Sequence, residues 1–159
     1  MDQFARHIIR FAVHAGNVND NILCQNFNKI IAGKSLPQYL NLDHDPLFAY
    51  HRWQANLRVL EVEEIKTVPG VLVSYPFVER LIRTVRRDYP DHILFWNMVD
   101  LELKLSEFEH YYNRERVHAS LGGDTPAEVS GESIREQVKL DGFRWETHCR
   151  GLVSPPMAA

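Results

Sequence analysis

The chain has 159 residues, enough for one domain with a core of its own. At 45% apolar and 25% charged residues, its composition is that of an ordinary soluble globular protein, not of a disordered tail or a membrane protein. A net charge of −3 argues against a general nucleic-acid coat, but it leaves room for a local basic face, and local faces dock on phosphates.

No apolar run approaches the roughly 18 residues that suggest a membrane span. The start, MDQFARHIIRFAVHAG, lacks the basic region, apolar stretch and small-residue cleavage site of a signal peptide. Cys24 and Cys149 form no CxxC pair and read as reduced, buried thiols of a cytosolic protein.

In chain order, HIIRFAVHAG alternates: Ile9, Phe11, Val13 and Ala15 share one side, which predicts a strand stopped by Gly16. NDNILCQNFNKIIAG carries a helical stripe of Ile22, Leu23, Phe27, Ile30 and Ile31, with Asn19 or Asp20 as N-cap and Gly33 just beyond the end. SLPQYLNLD predicts a short strand after Pro37. Strand, helix and strand in that order suit a crossover to a parallel neighbour. A short helix is expected around Trp53 to Leu60 and a brief strand in EEIKTVP; GVLVSYP has no readable period.

From Pro76 the helical signal is strong. Phe77, Val78, Leu81, Ile82, Val85 and Tyr89 recur at spacings of three and four until Pro90. A second helix runs through DLELKLSEFEHYYNRER, with Leu101, Leu105, Phe108 and Tyr112 inward and Asp100 as its cap. Thr125-Pro126 starts a short helix. The tail reads as a polar appendage with a short strand near Phe143 to Trp145.

Two acids stand out. Asp43, in LNLDHDPLF, ends a strand, where open α/β sheets place their ligands. Glu79 opens the strongest helix, and thirty-five residues separate the two. A bland explanation exists for each: Asp43 and Asp45 before Pro46 suit an Asx-type turn, and Glu79 with Arg83 suits an i,i+4 ion pair.

The flanking sequence favours a sharper reading. Asp43, the thirty-five-residue interval and Glu79 in PFVERLIRTVRRDYP resemble the last two acids of the DDE transposases and retroviral-type integrases. LDHDPLF is similar to the family's segment around its second aspartate. FEHYYNRERVHASLGGDTPAE is similar to the stretch that follows the glutamate helix in bacterial insertion-sequence transposases, and together these motifs span roughly Ile8 to Glu128.

The resemblance implies an α/β fold: a ribonuclease H-like integrase core, a mixed sheet flanked by helices. It implies residues 1–128 as a partial catalytic core and 129–159 as a C-terminal appendage. It implies DNA integration and transposition by metal-dependent phosphoryl transfer, with Asp43 and Glu79 as catalytic and metal-binding residues and Mg²⁺ or Mn²⁺ as cofactor. Two divalent ions about 4 Å apart activate the nucleophile and stabilise the leaving oxygen in such reactions, and a hard cation wants carboxylate oxygens. A bacterial cytoplasmic location follows, with DNA as partner, homo-oligomers or co-assembly with an intact transposase, and no membrane.

Arg80, Arg83 and Arg87 lie on one face of the glutamate helix and are expected to meet the DNA backbone; an ordinary charged outer face is the alternative. None of the eight histidines falls in a zinc pattern. His118 matches the family's histidine and is taken as structural.

The family uses three acids, and upstream of Asp43 there are only Asp2 and Asp20. Asp20 sits at a helix start, and Asp2 matches the family's Asp-x-x-Ser/Thr-Arg turn. On that alignment the chain lacks the first strand and most of the second. The expectation is a chain without catalytic activity by itself. The alternative is a non-catalytic nucleic-acid-binding or co-assembling remnant, and a pseudogene product is a third possibility.

Overall fold

A computed structural model describes residues 1–66, 76–89, 93–132 and 142–158. The chain forms two compact units: Ala12–Pro76, called the first unit below, and Met1–Phe11 with Phe77–Ala159, called the second. The GVLVSYP loop before Pro76, the helix stop at Pro90 and part of the tail lie outside the described residues. Among the described residues no helix is long and apolar enough to cross a membrane.

In the first unit, α1 covers Asp20–Ile31, β1 Tyr39–Leu42, α2 His51–Val59 and β2 Glu63–Lys66. Asn19 caps α1, its side chain accepting from the Ile22 amide, and Gly33 takes φ of 74° just past the C-terminus, a left-handed conformation that glycine adopts without a Cβ clash. β1 and β2 pair in parallel, Tyr39 opposite Glu63 and Leu42 opposite Lys66. Parallel neighbours need a crossover, and α2 supplies it.

This corrects the expectation that α1 would bridge two parallel strands. The segment from Ile8 to Ala15 is not a strand. Burial follows the alternation only from Ile9 to His14: Ile9, Phe11 and Val13 are partly covered and Arg10, Ala12 and His14 exposed, but Ile8 on the other side is buried and Ala15 is exposed. A strand also needs a ladder partner, which the pattern cannot supply. The core of the first unit is Cys24, Trp53, Leu57 and Val62, ringed by Leu23, Phe27, Leu40, Leu42, Phe48 and Leu60.

In the second unit, α3 covers Pro76–Asp88, α4 Met98–Arg114 and α5 Pro126–Val129, followed by the antiparallel pair β3 (Phe143–Trp145) and β4 (Pro156–Ala158). Leu81, Val85 and Tyr89 of α3 are buried, as are Leu105, Phe108 and Tyr112 of α4. Tyr89 stacks on Phe108 at 5.4 Å between centroids. Ile82, expected in the apolar stripe, is 49% exposed although it lies only about 20° round the helix from the buried Tyr89.

The cap of α4 is Asn97, whose side chain accepts from the Asp100 amide; Asp100, expected as the cap, lies in the first turn. Its carboxylate accepts instead from the Trp96 amide and the Lys104 ammonium, and these bonds hold its carboxyl below the ordinary carboxylate range. Thr125 and Glu128 close a capping box at the start of α5, as the Thr-Pro signal predicts.

Candidate functional site

The two aspartates of LNLDHDPLF have different jobs. Asp45 caps the 3₁₀ turn Pro46–Ala49, its carboxylate accepting from the Leu47 amide at 2.9 Å. Asp43 follows the last residue of β1, is exposed, and accepts from the Asp45 amide at 3.1 Å through Oδ1. An Asx turn is therefore present, yet it engages one oxygen of Asp43 and leaves the other toward solvent at the C-terminal end of a parallel strand.

Glu79 lies in the first turn of α3, where its charge is favoured by the helix dipole. It is exposed, and among the described residues it makes no ion pair with Arg83. Arg80, Arg83, Arg86 and Arg87 are exposed on the same helix, opposite the buried Leu81, Val85 and Tyr89. At about 100° per residue, Glu79, Arg83 and Arg86 fall within roughly 60° of one another, and Arg80 and Arg87 extend that face beyond Arg83. Glu79 is thus flanked by guanidinium groups rather than neutralised by one.

Asp43 belongs to the first unit and Glu79 to the second. Among the described residues no group of three or more His, Cys, Asp or Glu side chains stands together as a metal site. The two upstream acids are engaged locally. Asp2 accepts from the Phe4 and Ala5 amides at 2.9 and 3.3 Å, which makes it the capping acid of a turn, as its alignment implies. Asp20 accepts from the Asn21 amide and pairs with Arg52 at 3.6 Å.

Two features escaped the sequence reading. Asn113, in YYN, reaches back to Ile8: its Oδ1 accepts from the Ile8 amide and its Nδ2 donates to the Ile8 carbonyl, both at 2.9 Å. A polar residue next to the inward Tyr112 is the signal that could have found it. Glu107 collects the Tyr89 hydroxyl at 3.2 Å and Arg150 Nε at 3.3 Å, tying the end of α3, the middle of α4 and the tail together. Beside this link Cys149 is buried, and desolvation, with a smaller contribution from Glu107, pushes its thiol up to about 11. It stays protonated and unreactive.

His118 supports the structural role expected of it. Its ring sits against Tyr112 at 4.8 Å, and its Nε2 is buried without a hydrogen-bond partner. Burial, then Arg116 and Arg6, lower its pKa below the ordinary 6.5. The folded state therefore binds fewer protons here than the unfolded chain, so this stability is full above 6.5 and is lost as pH falls. Thermal midpoints measured from about pH 7 down to about pH 5 are expected to fall, and His118→Leu is expected to flatten that slope. Parallel slopes in the two proteins would count against it.

Residues 62–126 match the family model described as "Integrase core domain". That segment runs from the residue before β2 to the start of α5; it contains Glu79 and the arginine face and leaves Asp43 outside. No curated protein matches the sequence. Among solved structures, the catalytic core domain of BIV integrase is similar with a TM-score of 0.55 and 22% identity, covering 72% of each chain. A chain of the simian T-cell lymphotropic virus intasome is similar with a TM-score of 0.61 and 18% identity. The match covers 91% of this chain and 54% of that one. The fold is therefore that of integrase catalytic cores, ribonuclease H-like.

Proposed function

We propose that this chain, an integrase/transposase-type core, serves DNA recombination by presenting α3 to a phosphodiester backbone. The observation that carries the reading is Glu79 on an exposed face with Arg80, Arg83 and Arg87, inside the segment that matches the integrase core. Arginines beside an unpaired carboxylate suit a substrate that is itself an anion: they attract phosphates, while the carboxylate needs a cation to share the site.

By the family resemblance, Asp43 and Glu79 are each a candidate ligand for Mg²⁺ or Mn²⁺. Both are exposed carboxylates, and hard oxygen donors are what such ions take. When bound, the ion supplies charge stabilisation for phosphoryl transfer. The arginines would position the backbone.

The same reading assigns no turnover to this chain acting alone. Asp2 and Asp20 are committed to a turn and a helix start, so two carboxylates remain for chemistry that in the resembled family uses three. A non-catalytic DNA-binding or co-assembling role is the second reading, favoured by the same committed acids. The setting is the bacterial cytoplasm, with DNA and further copies as partners.

Fluorescence anisotropy with duplex DNA over a salt series tests the binding. Log affinity is expected to fall linearly with log salt, and each of Arg80→Gln, Arg83→Gln and Arg87→Gln is expected to reduce the slope by about 1. A slope unchanged in the triple variant would remove the arginine face from the proposal. Strand transfer with Mn²⁺ that Glu79→Gln abolishes would overturn the absence of turnover.

A further inference from the structure

The second unit holds a cleft of about 490 Å³ that the reading above does not use, between α4 and the turn Cys149–Gly151. Its size is in the range of small-molecule sites. Ser106, Glu107 and His110 form one wall. His110 lies four residues after Ser106 and three after Glu107, so the three share a face of α4. Thr147, His148 and Arg150 line the other side.

That other side is held in a costly backbone shape. Cys149 and Arg150 take φ of 51° and 58°, and Gly151 follows at 92°, three successive residues in the left-handed region. Only glycine enters that region without a Cβ clash, and such strain gathers at ligand sites. Side chains keep the turn in place. Cys149 is buried, and Arg150 Nε donates to Glu107 Oε2 at 3.3 Å, the same oxygen that accepts from the Tyr89 hydroxyl. The cleft is therefore built before any ligand arrives.

Its lining suits a flat ligand with a polar edge. The rings of His110 and His148 are near-parallel, 19° between planes, with centroids 6.4 Å apart. His148 Nε2 is buried, so this residue offers the cleft its ring surface rather than that nitrogen. Histidine rings and guanidinium planes are surfaces on which unstacked bases lie. Around them stand the hydroxyls of Ser106 and Thr147 and the carboxylate of Glu107. Both hydrogen bonds to that carboxylate fall on Oε2, and among the described residues Oε1 accepts none. Hydroxyls both donate and accept, and a carboxylate oxygen accepts from the exocyclic amino group of a base. The fixed charges of the lining, Glu107 and Arg150, are paired with each other, which leaves little attraction for a bare phosphate.

We propose that this cleft binds a single nucleobase, stacked on the rings of His110 and His148 and met at its edge by Ser106, Thr147 and Glu107. The base can belong to a free nucleoside or to an unpaired position in DNA, since the recognised chemistry is the same. The site shares no residue with the arginine face, so it stands or falls apart from the reading above.

The test is fluorescence titration of the full chain with 2-aminopurine riboside, which loses emission when it stacks, and with a duplex carrying 2-aminopurine as its one unpaired base. Quenching is expected from at least one of the two. Quenching of the free riboside assigns a small-molecule source, and quenching in the DNA alone assigns the unpaired base. Adenosine is expected to displace the probe, and ribose 5-phosphate is not. His110→Ala is expected to weaken binding at least about fivefold, the lower end for losing an aromatic side chain that stacks on a base, and His110→Phe to restore it. His110 is exposed, so neither variant disturbs the core. Absence of quenching from both sources overturns the proposal. So does a His110→Ala protein that binds as its parent does, or displacement by ribose 5-phosphate as effective as by adenosine. A chain that binds duplex DNA yet quenches neither probe sinks this inference alone, and a chain that quenches the riboside yet binds no duplex sinks only the DNA reading.

Discussion

Trp53→Ala is expected to destabilise the first unit by about 3–5 kcal/mol, the range for truncating a large buried aromatic side chain. Trp53 is 1% exposed and is the largest side chain of its core. Phe27 meets its ring edge-on at 5.1 Å, and Phe48 lies tilted at 5.7 Å. Removing it breaks both aromatic contacts and leaves a cavity between α1 and α2, against a domain stability of only about 5–15 kcal/mol. Trp53→Phe is expected to cost much less, under about 2 kcal/mol. The smaller ring keeps most of the contact, and it removes an indole N–H that is buried without a partner. Urea unfolding followed by far-ultraviolet circular dichroism separates the two. A Trp53→Ala protein within about 1 kcal/mol of its parent would show that the aromatic cluster does not hold this unit.

The contrast between α3 and the N-terminal segment shows what a single sequence reveals. For α3 the period of Leu81, Val85 and Tyr89 is a local property, and it gave both the helix and the face that carries Glu79 and the arginines. For Ile8 to Ala15 the period was equally clear, but burial follows it only from Ile9 to His14, and strand pairing is a relation to another segment. The parallel pair was legible strand by strand, since β1 and β2 fall where expected, while the helix joining them was misassigned because nothing in YLNL says which neighbour it pairs with. Asn97 was missed as a cap because Asp100 is also a capping residue type; the choice depends on which side chain meets an amide, and here Asp100 supplies that amide. Asp43 and Glu79 were found at element ends by motif, not by chemistry, and motif could not tell that Asp45 would be the capping acid. Asn113 needed a contact 105 residues away, beyond any window of local pattern.

Asn113→Ala is expected to cost the second unit about 2–6 kcal/mol. Asn113 is 5% exposed and Ile8 2%. Its carboxamide does for Ile8 what a neighbouring strand would do, satisfying both the amide and the carbonyl. Alanine leaves both groups buried and unpaired, at about 1–3 kcal/mol each. Asn113→Asp separates the two bonds. Its carboxylate still accepts from the Ile8 amide, but it faces the Ile8 carbonyl with no proton to donate. That repulsion and burial raise the variant's folded-state pKa above the unfolded value of about 3.9. A raised folded pKa contributes stability that is fully present below the unfolded value and is lost as pH rises through the folded one. The stability gap between Asn113→Asp and its parent is therefore expected to be wide near neutral pH and to narrow in acid, where a protonated carboxyl donates to the carbonyl as the amide did. Taking the difference between the two proteins at each pH cancels the acid sensitivity they share. If Asn113→Ala melts with its parent, or if the Asn113→Asp gap does not change with pH, then Met1–Phe11 is held to this unit by something other than the Asn113 carboxamide.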